Sequence, residues 1–196
     1  MANYETLEIE NHGAVRRILL AREAQRNAQS QQMLDELMAA FDEARVDDSV
    51  NVVVLGGKGA HFSAGHDLKQ AQAERANFTV EERWAYEELR YFDYSMKIWD
   101  FPKPTIAQVQ GACVAGGFMI ANMCDLVVAS ESAYFSDPVG HTLCAAATEV
   151  LIHPWVMGAR KAKEMLFTGA KISAQEAKDI GMVNRVVAVV ELSDST

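Results

Sequence analysis

Two glycine-centred loops, about fifty residues apart, constrain the fold of this chain more than any other feature. The first reads His61-Phe62-Ser63-Ala64-Gly65-His66-Asp67-Leu68-Lys69 and follows the apolar run Val52-Val53-Val54-Leu55. The second reads Gly111-Ala112-Cys113-Val114-Ala115-Gly116-Gly117-Phe118 and follows Thr105-Ile106-Ala107-Gln108-Val109. Each has the order strand, glycine turn, helix start. Such turns expose backbone N–H groups, because the first N–H groups of a helix have no intrahelical partner. Two of them converging on one point would form an oxyanion hole, so acyl chemistry is expected before any catalytic side chain is named.

The rest of the chain alternates in the same way. Thr6 to Glu10 and Val15 to Leu20 read as strands around a turn at Asn11-His12-Gly13, and Arg22 to Asn27 as a polar loop. Ser30 has the character of an N-cap, followed by Met33, Leu34, Leu37, Met38, Phe41 and Ala44 at helical spacing until Asp47-Asp48. Gln70 to Thr79 reads as a mobile loop, and Glu81 to Trp99 as an aromatic-rich helix ended by Pro102 and Pro104. Gly116 to Met123 is expected to be helical, with strands at Leu126 to Ala129 and Ala133 to Ser136. Helices are expected at Ala145 to Val156, disturbed by Pro154, at Arg160 to Phe167, and from Ser173 to a stop at Gly181. Val183 to Val190 reads as the last strand. Alternation of this kind argues an α/β fold, and residues 1–196 are expected to form a single domain.

Composition narrows the function. A net charge of −9 argues against general nucleic-acid binding, though it leaves room for a phosphorylated ligand held by local Lys, Arg and N–H groups. Cys113, Cys124 and Cys144 lack metal-ligand spacing, and an odd, unpatterned set suits reduced thiols in a cytoplasmic protein. No signal peptide or membrane span is expected, since Met1 to Asn11 is polar and no apolar run is long enough. The Gly111 to Gly117 segment lacks the Lys and Ser/Thr of a phosphate-binding P-loop. There is no Gly-x-Ser-x-Gly elbow and no Rossmann spacing.

The motifs in order resemble the crotonase (enoyl-CoA hydratase/isomerase) superfamily. Val52 to Leu55 with Phe62-Ser63-Ala64-Gly65-His66-Asp67-Leu68 is similar to its first signature, and Gly111 to Asp125 to its second. Asn27-Ala28, Phe135-Ser136-Asp137-Pro138, Ala162 to Gly169, and Ser173-Ala174 to Val187 match further segments. The resemblance covers about Glu5 to Val187. It implies a spiral of β-β-α units and a substrate bound as an acyl-CoA thioester, as in fatty-acid or related metabolism. It also implies an oxyanion hole from the N–H groups of His66 and Gly116, with CoA running along His66, Asp67, Leu68 and Lys69. Ala64 and Leu68 would flank the adenine, Ala28 belongs to the same binding surface, and Arg26 or its neighbours would reach phosphate. Coenzyme A enters as part of the substrate; no metal or other cofactor is expected. The family commonly forms trimers or dimers of trimers. The chain stops soon after its last matched strand, so the family's C-terminal helical region is expected to be largely missing and the oligomer weakened.

The resemblance departs at the catalytic glutamates, whose positions hold Met119 and Val139. Standard two-glutamate hydration is therefore not expected. Glu149, and after it Asp137, are the candidates for any acid–base step, with His66 and His141 nearby. Asp67 also suits a helix N-cap, and His141 and His153 suit structural or solvated roles. Two other readings stand beside an active enzyme: a weak or inactive acyl-CoA-binding paralogue, and a structural subunit of a hetero-oligomer.

Overall fold

A computed structural model of the chain describes residues 4–142 and 146–196, the side chain of Glu74 apart. Cys144, and the expected helix start at Ala145, lie outside the described residues.

The main sheet begins with the antiparallel pair β1 (Leu7–His12) and β2 (Val15–Leu20). It continues in parallel through β3 (Val52–Gly57), β4 (Thr105–Val109), β6 (Leu126–Ser130) and β9 (Arg185–Val187). A parallel sheet with covered faces selects continuous apolar strands. Val53, Val54 and Leu55 are accordingly buried. The second layer is a smaller sheet of β5 (Ala112–Val114), β7 (Tyr134–Ser136) and β8 (Ile172–Ser173). Isolated bridges extend this layer, pairing Ser63 with Cys113 and Gln29 with His66.

The spiral follows from that arrangement. Successive turns of the chain leave a main-sheet strand, touch the second layer and enter a helix. After β2 the contact is Gln29, followed by α1 (Gln31–Val46). After β3 it is Ser63 and His66, followed by α2 (Leu68–Arg75). After β4 it is β5, followed by α5 (Gly116–Asn122). The expected β-β-α spiral is thus the observed architecture.

Local chemistry sets the helix ends. Ser30 Oγ accepts the Met33 N–H at 3.2 Å, and α1 buries Met33, Leu34, Leu37, Phe41 and Ala44 against the sheet. Full burial of one such leucine contributes about 1.5–3 kcal/mol. Phe41 meets Phe101 edge-on, with centroids 5.1 Å apart. Ser173 caps α9 (Ala174–Asp179) by accepting the Glu176 N–H at 3.1 Å.

Three expectations need correction. The polar stretch from Gln70 is not a loop: α2 runs to Arg75, because Asp67 caps it and Arg75 anchors its end to Glu87 at 3.0 Å. The last strand is only Arg185–Val187; Val189–Glu191 turns into a short 3-10 segment, and α10 (Leu192–Ser195) follows. The aromatic helix is three segments, α3 (Val80–Glu87), a π-helical turn (Glu88–Phe92) and α4 (Asp93–Trp99). The helices α6 (Val139–Thr142), α7 (Glu149–Met157) and α8 (Ala159–Thr168) complete the described elements, with Pro154 inside α7.

Candidate active site

The two glycine loops meet. Gly65 has φ +91°, and a Cβ placed on it would stand 2.9 Å from the Val114 carbonyl oxygen and 3.2 Å from the Gly116 nitrogen. A Cβ on Gly116 would stand 2.8 Å from Gln29 Oε1 and 2.9 Å from the His66 ring. Only glycine permits this backbone-to-backbone approach.

The geometry leaves both key N–H groups available. Gln29 donates to the Gly65 carbonyl at 2.8 Å and accepts from the Asp67 N–H at 2.9 Å. In such a parallel bridge the intervening residue, His66, directs its own N–H away from Gln29. Gly116 opens α5, so its N–H has no intrahelical acceptor. No hydrogen bond among the described residues takes up either group.

Strained backbone gathers around this point. Among the described residues, the non-glycine positions with positive φ are Arg26 (52°), Asn27 (53°) and Ala115 (49°), all in segments that border the two loops. Such conformations persist only where their surroundings over-determine them. Asn27 shows how: its side chain accepts from Arg22 N at 2.9 Å and donates to the carbonyls of Lys58 and His61 at 3.0 and 2.8 Å. Its own carbonyl accepts Ser63 Oγ at 2.8 Å.

Behind the loops lies a buried group of titratable side chains. Tyr91, from the π-helical turn, sets its ring edge-on to His66, centroids 5.6 Å apart. Its hydroxyl donates to Glu149 Oε1, and Glu149 Oε2 accepts the Ala147 N–H at 2.7 Å. Glu149 is 4% exposed, Asp137 1% and His153 0%. Asp137 Oδ2 meets His153 Nε2 at 2.8 Å, and its Oδ1 accepts the Val139 N–H at 3.2 Å. The His153 ring lies tilted against Phe118, centroids 4.9 Å apart. Burial, then the Arg75 guanidinium, pushes His66 down to about 4, with Asp137 opposing. Burial, then the Glu149 carboxylate, raises Tyr91 well above its ordinary value.

The candidate residues separate into three groups. His66 and Gly116 come together, Glu149 is linked to them through Tyr91, and Asp137 is close enough to act electrostatically on both His66 and Tyr91. Arg26 and Ala64 line a cavity of about 310 Å³ that also touches Ser136, Pro138 and Lys171. Ala28 is partly buried, and its carbonyl accepts Arg22 Nη1 at 2.6 Å. Asp67 caps α2 and pairs with Arg22 at 3.1 Å, while Leu68 and Lys69 are exposed. Met119 and Val139 are buried apolar side chains. His141 is exposed, its Nε2 2.8 Å from the Phe167 carbonyl.

Sequence reasoning missed Tyr91 and Gln29. Tyr91 stood among several aromatics of one helix, and nothing in their spacing singled it out. Of the structural and solvated roles open to His153, the structure shows the structural one, a buried imidazole paired with Asp137. Gln29 is 2% exposed, and its amide has no hydrogen-bond partner among the described residues. Among those residues there is also no group of three potential metal ligands, and no helix long and apolar enough to cross a membrane.

Comparison with known proteins follows the same lines. The enoyl-CoA hydratase/isomerase family model matches residues 10–196. A Mycobacterium tuberculosis relative that carries an enoyl-CoA hydratase name is 43% identical over 98% of this chain. The 4-chlorobenzoyl coenzyme A dehalogenase-2 of an Arthrobacter species is 34% identical over 92%. The chain spans 65% of the length of each of these two relatives. The crystal structure of an enoyl-CoA hydratase/isomerase from Xanthobacter autotrophicus Py2 superposes with a TM-score of 0.90 at 39% identity, covering 98% of this chain and 71% of that one.

Proposed function

The chain belongs to the enoyl-CoA hydratase/isomerase family, and on that premise we propose that it binds an acyl-CoA thioester and polarises the carbonyl between the N–H groups of His66 and Gly116. The observation that carries this reading is the contact of the Gly65 and Gly116 backbones, with both N–H groups left without an acceptor. A carbonyl oxygen received there gains two aimed donors, and charge that develops on it is stabilised without reorganisation. One such donor is worth about 2.7–4 kcal/mol to a transition state.

The thioester is the part of the substrate that the relatives' names share. A hydratase and a dehalogenase of chlorobenzoyl coenzyme A differ in reaction and agree in that group. Arg26 and Ala64 lie on the path assigned to CoA, and the cations of Arg26 and Lys171 at the same cavity suit its phosphates.

The reaction we assign is proton transfer next to the carbonyl, giving an enolate that is then protonated or substituted. Two-glutamate hydration is not expected, since the resemblance puts the glutamate positions at Met119 and Val139, buried side chains that exchange no protons. Glu149 is the better base of the two candidates. Each carboxylate has both oxygens in hydrogen bonds, Asp137 with His153 and the Val139 N–H, Glu149 with the Tyr91 hydroxyl and the Ala147 N–H. Glu149 also reaches toward the oxyanion loops through Tyr91.

A second reading, the weak or inactive acyl-CoA-binding paralogue, draws on the same replacements at Met119 and Val139. Turnover of the α-proton of butyryl-CoA, read as deuterium wash-in from D2O, with a calorimetric titration of the same thioester, separates the two. Binding with turnover supports the enzyme, and binding without turnover supports the paralogue. The absence of binding overturns both and leaves a structural subunit. The homotrimer or dimer of trimers implied by the family belongs to this proposal too. Exposed apolar side chains such as Trp155 and Phe167 suit subunit contact, and light scattering measures the assembly.

A further inference from the structure

The loss of both family glutamates leaves the site without an evident route for a proton, yet a half-buried phenol and a buried carboxylate stand in contact beside the oxyanion loops. The π-helical turn Glu88–Phe92 supplies the phenol. A π turn changes which side chains a helix presents, and such turns recur at functional sites. Here Leu89 and Phe92 stay exposed while Tyr91 turns inward. Its ring rests on His66, the residue whose N–H forms half of the proposed oxyanion hole. Its hydroxyl donates to Glu149 Oε1, and the other Glu149 oxygen is held by the Ala147 N–H. Both oxygens accept, which is the pattern of an ionised carboxylate.

The surroundings disfavour a free phenolate. After burial itself, Tyr91 is raised by Glu149 on α7, by Asp137 beyond β7 and by Glu87 on the preceding helical segment, the last partly exposed and paired with Arg75. A negative charge on the phenol would meet the buried carboxylates of Glu149 and Asp137. His66, held neutral by its burial, does not compete for the proton.

We propose that Tyr91 is a catalytic residue that relays a proton between the α-carbon of the acyl-CoA and Glu149. The proposal rests on the acyl-CoA reading above. In the forward step the Cα–H bond breaks and its proton joins the Tyr91 oxygen. The original Tyr91 O–H bond breaks in the same step, and that proton joins Glu149 Oε1. The electron pair of the Cα–H bond enters the enolate, whose charge rests on the thioester oxygen between the His66 and Gly116 N–H groups. The negative charge thus passes from Glu149 to the enolate, and no phenolate forms. Reversal returns the proton, and nothing is oxidised or reduced.

The test is deuterium wash-in at the α-methylene of butyryl-CoA in D2O, read by proton NMR, with calorimetric binding of the same thioester. The wild-type chain is expected to exchange. Tyr91→Phe, which keeps the ring on His66, is expected to slow exchange about 100-fold or more while binding stays within about threefold. Glu149→Gln is expected to do the same, and the double variant to be no slower than either single one, since a relay acts as a unit. Circular dichroism checks folding, and Glu149→Gln carries the test if Tyr91→Phe is unfolded. Exchange by folded Tyr91→Phe at the wild-type rate, or independent additive losses in the double variant, overturns the relay. Wild-type binding without exchange overturns the relay but leaves the acyl-CoA reading standing. No binding at all overturns both.

Discussion

Gly65 and Gly116 pack backbone to backbone, so that a methyl group on the first would stand 3.2 Å from the nitrogen of the second. Gly65→Ala therefore separates the loops as well as straining a φ of +91°. The strain costs about 1–3 kcal/mol. Displacing a donor of the hole lowers kcat by about 100-fold. A thermal melt and steady-state kinetics on an accepted thioester measure the two effects separately. Wild-type kinetics in Gly65→Ala would contradict the convergence.

His66 carries a pH signature. Its folded-state value is pushed down to about 4 from an ordinary 6.5. Between those values the unfolded chain binds a proton at this residue that the folded chain does not. Stability from this group is therefore fully present above about pH 6.5 and declines as pH falls toward 4. The loss amounts to about 2–3 kcal/mol at the acid end. Urea melts at pH 7 and pH 4.5 read it, and His66→Gln is expected to flatten the difference. An equal slope in the variant would assign the acid sensitivity elsewhere.

The Asp137–His153 pair is a stability element first. His153→Ala strands a buried carboxylate with the Val139 N–H as its remaining partner, at a cost of about 3–5 kcal/mol. Asp137→Asn keeps the shape and is expected to cost less. Chemical denaturation of both variants checks the order. If Asp137→Asn abolishes turnover with unchanged stability while Glu149→Gln retains it, the base is Asp137.

Asn27 ties the first two turns of the spiral together through Arg22, Lys58 and His61. Asn27→Ala leaves two carbonyls and one N–H without this partner and places alanine at positive φ. Destabilisation of about 2–4 kcal/mol is expected. A fall in the denaturation midpoint checks it.

The sequence made the α/β alternation legible because its cues are local, whereas the spiral followed from the family resemblance. Ser30 as a cap, the periodic apolar face from Met33 to Ala44, and strand runs such as Val52 to Leu55 each act within a few residues. The two glycine loops were legible for the same reason, as glycines fixed by backbone geometry. Asp67 was legible as a cap, but the helix it starts was not, since α2 is polar and depends on the tertiary pairing of Arg75 with Glu87. Val189 and Val190 looked like strand residues, yet they are exposed and fall beyond the edge pairing of β9 with β6. Tyr91 and Glu149 are 58 positions apart, and only the packed π turn joins them. No periodicity or spacing encodes that contact.

The central claim is that a thioester carbonyl lies between the His66 and Gly116 N–H groups. The most direct measurement is the infrared C=O stretch of butyryl-CoA carrying ¹³C at the thioester carbonyl, recorded free and bound. Two strong donors weaken the C=O bond, so the bound band is expected at lower wavenumber, with the shift reduced in Gly65→Ala. A bound band at the position of the free thioester in water would contradict the account.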